Sequence, residues 1–479
     1  MSHEFRLSSP TDWRMRFVGG LFYEDRSIEA RTDWHYKSVP ECPDGGQLGL
    51  SCFLYLDPRQ APKFASAVPD MNNPNRRASD IGFFNDFVRD YSQFAAFASV
   101  DFDILDNLTL TLGTRYFDIK NSMVGANMGS FFCKIYGSGA SGACNGTNSG
   151  YGEASGLSPY GTNVSAQADN DNKADGFRSR ANLTWRVTSD VLLYTTWSEG
   201  YRPGGFNRGS ACGAKDPVSG INQWCFPTSY KSDDLTNIEA GWKTTFWGGR
   251  AIFNGSIYQV NWKNAQTGLF APELGFPNLQ SFLNGPEYEV KGLEANFAIA
   301  PVDGLMLNAA MSYNKGKLKN SPQVISNNPA SPTYGDPVTQ SCLSYDSVNH
   351  VCNSVVSVEN LFGTPGTAMA NSPKLQFNIR GRYDWTVGDY HPFVGAALQY
   401  QDDSYSSATV NNRFVQPSFT TYDLSMGVAK DAWSAEFYVV NLTDENKSMY
   451  TTASQFILVE VPMRPRTMGL RFGYNFGGE

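Results

Sequence analysis

Phe177-Arg178-Ser179-Arg180-Ala181-Asn182-Leu183-Thr184-Trp185-Arg186-Val187 changes character at almost every residue. Phe177, Ser179, Ala181, Leu183, Trp185 and Val187 share one side of an extended chain, and Arg178, Arg180, Asn182, Thr184 and Arg186 share the other. Successive side chains of a strand point to opposite faces, so this is a strand with one apolar and one wet face. The pattern recurs where Leu375, Phe377, Ile379, Tyr383 and Trp385 oppose Lys374, Gln376, Asn378, Arg380, Arg382 and Asp384. Near the end, Met468, Leu470, Phe472, Tyr474 and Phe476 oppose Thr467, Gly469, Arg471, Gly473 and Asn475.

Extending this reading over the 479 residues gives about 15 strands, at 3–9, 14–30, 86–102, 108–120, 176–188, 191–201, 233–247, 249–262, 286–300, 304–315, 373–387, 390–403, 419–430, 432–442 and 463–476. Tight turns at 10–13, 103–107, 188–190, 247–249, 301–304, 387–389 and 431–432 alternate with long connections. Short turns on one side and long loops on the other are the sidedness of an outer-membrane barrel, with periplasmic turns and extracellular loops. Trp13, Trp185, Trp247, Trp385 and Trp433 stand at or near the short turns, where an interfacial aromatic girdle is expected.

Composition agrees. Aromatics make up 14 % and charged residues only 18 %, a mix that favours strands over helical bundles. No apolar run is long enough for a transmembrane helix, which leaves barrel strands as the way to span a bilayer. A net charge of −8 without a basic patch excludes a nucleic-acid partner. Eight cysteines fall into four close couples, Cys42 with Cys52, Cys133 with Cys144, Cys212 with Cys225 and Cys342 with Cys352. All four couples lie in long connections, so proximity predicts four local disulfides formed outside the cytoplasm. Zinc would want closer Cys spacing and nearby partner ligands.

The parity of the strands carries information. The first runs down into a short turn, so the fifteenth also runs down, and two parallel strands do not close an antiparallel barrel. No basic segment followed by an apolar stretch opens the chain at Met1. The expectation is a single barrel domain over 1–479, incomplete on its N-terminal side.

At this point the sequence resembles the TonB-dependent outer-membrane receptors. The stretch that carries this is Leu193-Tyr194-Thr195-Thr196-Trp197-Ser198-Glu199-Gly200-Tyr201-Arg202-Pro203-Gly204-Gly205-Phe206-Asn207. Gly292-Leu293-Glu294-Ala295, Val440-Asn441-Leu442-Thr443-Asp444-Glu445-Asn446 and Pro465-Arg466-Thr467-Met468-Gly469-Leu470-Arg471-Phe472 support it by their order. The resemblance implies an all-β antiparallel transmembrane barrel of about 22 strands, of which this chain supplies the later 15 or so. It implies TonB-energised uptake of a scarce ligand, a ferric siderophore by family frequency, and residence in the bacterial outer membrane. The implied partners are outer-membrane lipid, the barrel-assembly machinery, a small ligand such as an iron chelate and, for a full-length parent, TonB-ExbB-ExbD. Plug, TonB box and early strands are expected to be missing here, so the fragment is not expected to transport alone. The residues after Phe476, Gly477-Gly478-Glu479, depart from the family's terminal aromatic.

Candidate site residues follow from this. Tyr201, Arg202, Phe206, Asn207 and Arg208 stand where a strand becomes a loop, and are either ligand contacts or a structural rim. Arg178, Arg180, Arg186, Arg380 and Arg382 face inward, where they either attract an anionic ligand or pair with a plug or with Glu239, Glu294, Asp384 and Glu436. His3, His35, His350 and His391 are scattered. Asp169, Asp171 and Asp175 resemble a calcium loop, but Lys173 stands where a ligand belongs. No nucleophile triad, phosphate loop or zinc spacing appears, so no enzyme, metal or cofactor is expected. A passive pore and a surface adhesin or phage-receptor-type protein are the rival functions.

Overall fold

The computed structural model describes residues 1–35, 81–129, 162–163, 171–207, 212–276, 281–408, 413–454 and 457–476. Its frame is fifteen long strands in one antiparallel meander, each paired with its neighbours in sequence. They are β1 (Ser2–Ser8), β2 (Met15–His35), β3 (Ile81–Leu105), β4 (Leu108–Gly129), β5 (Asp171–Arg186), β6 (Val191–Arg202), β7 (Asp233–Phe246) and β8 (Ala251–Lys263). The rest are β9 (Glu287–Ile299), β10 (Leu305–Asn320), β11 (Leu375–Asp384), β12 (His391–Gln401), β13 (Phe419–Lys430), β14 (Trp433–Val440) and β15 (Thr467–Tyr474). Among the described residues β1 pairs only with β2 and β15 only with β14, so the sheet has two free edges.

The tight turns depend on left-handed backbone. Trp247, Gly248 and Gly249 have φ of 55°, 61° and 90°, and Gly304 has 82°. A Cβ at Gly304 would lie 2.0 Å from the carbonyl oxygen of Asp384, so only glycine lets β10 begin beside β11.

Register assigns the faces, because directly paired residues lie on the same side. Trp242, Gly255, Ala295, Met311 and Phe377 form one row across β7–β11, and Ala240, Ile257, Leu293, Tyr313 and Leu375 form the next. Ile257, Met311 and Tyr313 are exposed, as are Met468, Leu470 and Phe472 of β15. These exposed apolar rows are the lipid-facing band. On the opposite face Gly241, Ser256, Glu294, Ser312, Gln376 and Gln401 form a polar row.

Two departures from the sequence reading stand out. Several strands run higher than expected, β4 to Gly129 and β10 to Asn320, because pairing continues beyond the apolar band. The last strand begins at Thr467 rather than 463, since Ser448–Ser454 and Ile457–Pro462 make a separate hairpin before it.

Among the described residues the largest buried core is not in the long-stranded sheet. Trp224, Phe226, Leu269, Phe276, Val338, Val358, Leu361 and Phe362 pack together from three long connections. Over them lies a four-stranded sheet of Asn222–Cys225, Cys212–Lys215, Gln340–Asp346 and Val351–Ser357. The bonded couples Cys212–Cys225 and Cys342–Cys352 each staple one hairpin of this cap. Cys42, Cys52, Cys133 and Cys144 lie outside the described residues.

Candidate functional site: the upper rim and inner wall

The stretch 199–207 leaves the sheet where β5 and β6 part. Their pairing runs from Arg186↔Leu192 up to Arg180↔Ser198 and stops there. Side chains bridge the opening above. The Glu199 carboxylate accepts the Ser179 N–H at 3.0 Å, Arg178 pairs with Asp234, and Asn172 Nδ2 donates to the Tyr230 carbonyl at 2.8 Å. Tyr201 stacks on Phe117, ring centroids 3.9 Å apart, and the Arg178 guanidinium lies over both rings, at 5.0 and 5.5 Å. Cation and ring faces attract, so this seam is held by dispersion and charge together.

Arg202, its side chain half exposed, is anchored to Asp233. Its Nε and Nη2 donate to Asp233 Oδ2 at 2.8 and 2.5 Å, and its backbone N–H to Oδ1 at 2.9 Å. Trp262 Nε1 donates to the same carboxylate at 2.9 Å, and the Arg202 guanidinium lies 4.6 Å from the Trp262 ring centroid. Asp233 is 1 % exposed, a buried charge neutralised by one arginine and satisfied by several N–H donors. Sequence reading missed Asp233 at the start of β7, Trp262 near the end of β8 and Gln266 just beyond it, which donates to the Pro203 carbonyl at 2.9 Å, because these positions carry no shared motif.

The glycines next to it are required by close approach. A Cβ on Gly204 would lie 2.3 Å from the Tyr230 carbonyl oxygen, and one on Gly205 2.4 Å from the Tyr230 hydroxyl. Asn207, 3 % exposed, donates through Nδ2 to the carbonyls of Pro227 and Phe282, both at 2.8 Å, and accepts the Phe282 N–H at 2.7 Å. Phe206 is buried against Phe87 and Met123. Four of the five rim residues therefore latch loop to wall, and Arg208 lies outside the described residues.

The inner wall is a polar concavity of about 850 Å³, lined by residues from Tyr194 to Gln401, with Lys243, Glu294, Asn378 and Arg380 among them. Tyr194 donates to Glu239 at 2.5 Å and Tyr258 to Glu294 at 3.2 Å, so these carboxylates meet tyrosines rather than the arginines. Of the four acidic residues, Asp384 alone meets one of the five arginines, binding Arg382 at 2.8 to 3.1 Å on one strand. Glu436 is bound by Arg471 at 2.7 Å. Arg180 makes one long contact, 3.4 Å to Ser99 Oγ, and Arg186 lies exposed near the periplasmic end. Arg380 has no ion pair among the described residues.

Asp171 and Asp175 belong to the regular strand β5 and pair with β4, which removes the loop geometry a calcium site needs; Asp169 lies outside the described residues. Asp346 closes a cap hairpin by accepting the N–H of Asn349, its side-chain amide and the N–H of Val348, which hold its carboxyl below the usual range.

Residues 9–442 match the family model described as TonB dependent receptor-like, beta-barrel. Among solved structures the chain is similar to the ferric yersiniabactin uptake receptor FyuA of Yersinia pestis, at 13 % identity and a TM-score of 0.61, covering 99 % of this chain and 54 % of that one. It is similar to the ferric-catecholate import receptor Fiu of E. coli K12 at 14 % identity and a TM-score of 0.59, with the same coverage. For the ferripyoverdine receptor of the Pseudomonas aeruginosa outer membrane the figures are 13 % and 0.54, covering 99 % of this chain and 48 % of that one. The chain spans about half the length of the receptors it matches.

Proposed function

The chain belongs to the TonB dependent receptor-like β-barrel family of the outer membrane, and from that premise we propose that it forms barrel wall and extracellular cap of a receptor importing an anionic iron chelate. The observation that carries this is the pairing of an apolar outer band with a polar inner wall whose Arg380 has no ion pair among the described residues. A low-dielectric lumen edged by unpaired cations concentrates an anionic ligand. The similar proteins, an uptake receptor for ferric yersiniabactin and an import receptor for ferric catecholates, support the same ligand class. In this reading the free edges of β1 and β15 are completed by further strands, and TonB supplies the energy.

Uptake of iron-55 presented as chelates of stated chemistry, in cells with and without TonB, tests the proposal. Uptake that needs both the receptor and TonB supports it. Solute flux through the protein without TonB would assign it to the passive pores instead. Binding of large particles without any uptake would assign it to surface adhesins.

A further inference from the structure

One charged surface is left unused by this reading, and it lies on the lipid side. Asn314-Lys315-Gly316-Lys317-Leu318-Lys319-Asn320 ends β10 at its loop end. Lys315 and Lys317 are exposed two residues apart, so they share a face, and Leu318 is buried against Ala265 and Tyr288 on the other. The face is the outer one, because Tyr313 and Met311 continue the same alternation down the apolar band. From Leu305 to Tyr313 the outer face of β10 covers about 27 Å of strand at 3.3–3.4 Å per residue. At the usual barrel tilt that is about 20 Å of bilayer, most of the roughly 25 Å band. Lys315 therefore stands at the upper edge of the hydrocarbon, just above an exposed tyrosine of the interfacial kind.

Register adds a second cation at the same height. Lys291 of β9 lies directly opposite Lys315, and Glu289 directly opposite Lys317. Like charges opposite one another in a sheet destabilise it unless something neutralises them. Glu289 is committed to Lys291, at 3.2 Å, and also accepts from Gln259 at 3.3 Å. Lys315 and Lys317 have no ion pair among the described residues, and Lys319, at the register shift, is exposed beside them. On the outer face of β2–β5 the comparable row is Asp25, Ser92, Lys120 and Lys173; Lys120 faces Lys173 there too, but Asp25 and the pair Asp118 and Asp175 below set three carboxylates against two lysines, so that stretch carries no basic excess.

We infer that Lys291, Lys315 and Lys317 form a docking site for a phosphorylated glycolipid headgroup of the outer leaflet. A lysine stem lies along the apolar band while its ammonium reaches the headgroup layer. Phosphates placed there neutralise the opposed lysines, and charge-assisted hydrogen bonds hold them. The inference needs only the membrane placement, so it stands or falls apart from the transport reading.

The test uses the natural protein extracted from outer membranes in mild detergent, with diphosphorylated lipid A as the probe and native mass spectrometry as the readout. The triple variant Lys291→Gln, Lys315→Gln, Lys317→Gln is expected to lose retained lipid at least tenfold, and the triple Lys→Arg variant to keep it within threefold. Dephosphorylated lipid A should be retained no better by wild type than by the glutamine variant. Equal retention of the phosphorylated probe by wild type and glutamine variant would overturn the inference. So would equal retention of dephosphorylated lipid, or displacement of the probe by equimolar inorganic phosphate, which would mark a site for free phosphate. If the triple variant does not reach the membrane, Lys315→Glu alone decides. A fivefold or greater loss supports the site, and unchanged retention overturns it.

Discussion

At the scale of single residues, Asp233 makes the most consequential contacts. Its carboxylate is almost fully buried and takes Arg202, Trp262 and a backbone N–H together. Asp233→Ala leaves the Arg202 guanidinium, the Arg202 backbone N–H and Trp262 Nε1 without their acceptor and should destabilise the rim by about 3 kcal/mol. Limited trypsin digestion reads this out as new cleavage after Lys231, two residues before Asp233, and unchanged protection would refute the hub assignment. Gly205→Val places a side chain into the Tyr230 ring and should detach the same loop. Gly248→Val is the contrasting case, since nothing lies within 4 Å of its Cβ and its cost comes from φ alone. Arg202 and Asn207 were legible as special positions in the sequence. Their role was not, because whether an arginine meets a ligand or a buried carboxylate depends on a partner some thirty residues away.

Among elements, the alternating faces of β10 make a sharp test. Met311 is on the lipid side and Ser312 on the polar side of one strand. Met311→Arg should cost about 2–4 kcal/mol of barrel stability, as an arginine near the bilayer midplane does. Ser312→Arg should cost less than about 1 kcal/mol. Urea midpoints of refolding into liposomes, with strands that pair with β1 and β15 supplied in trans, compare the two, and equal midpoints would mean the faces are misassigned. The cap makes a separate prediction. Cys212→Ser with Cys225→Ser removes a staple closing a 13-residue separation, worth about 3 kcal/mol in the chain-entropy picture. Protease should then cut between 212 and 225 while the strands stay protected. Strand positions were visible beforehand because a two-residue period survives in any half-buried strand. The cap was not, since Trp224, Phe276 and Val338 come from three connections and show no period.

For the whole molecule, the free edges of β1 and β15 decide behaviour. Backbone N–H and C=O groups unpaired in hydrocarbon cost several kcal/mol each, and an open sheet edge invites aggregation. The 479-residue chain produced alone should therefore aggregate or be degraded. Strands supplied in trans to pair with β1 and β15 should rescue it. A heat-modifiable, protease-resistant monomer of the chain alone, seen by gel mobility before and after boiling, would contradict this.

What the sequence determined by itself is what local chemistry can encode. Alternation at Phe177–Val187 and Met468–Phe476 marks the faces, and the alternation of short and long connections marks the two sides of the membrane. An odd number of strands already argued against a closed meander. Tertiary structure decided everything that requires distant residues to meet. It tied Arg202, a half-exposed side chain at the rim, to the buried carboxylate of Asp233. It also gathered three loops into one core beneath two stapled hairpins. Register set Lys291 opposite Lys315, two ordinary lysines in the sequence, at the upper edge of the lipid-facing band. Strand pairing brings residues together at a spacing that no local pattern records, and the charges and cavities that bind things are set by that pairing.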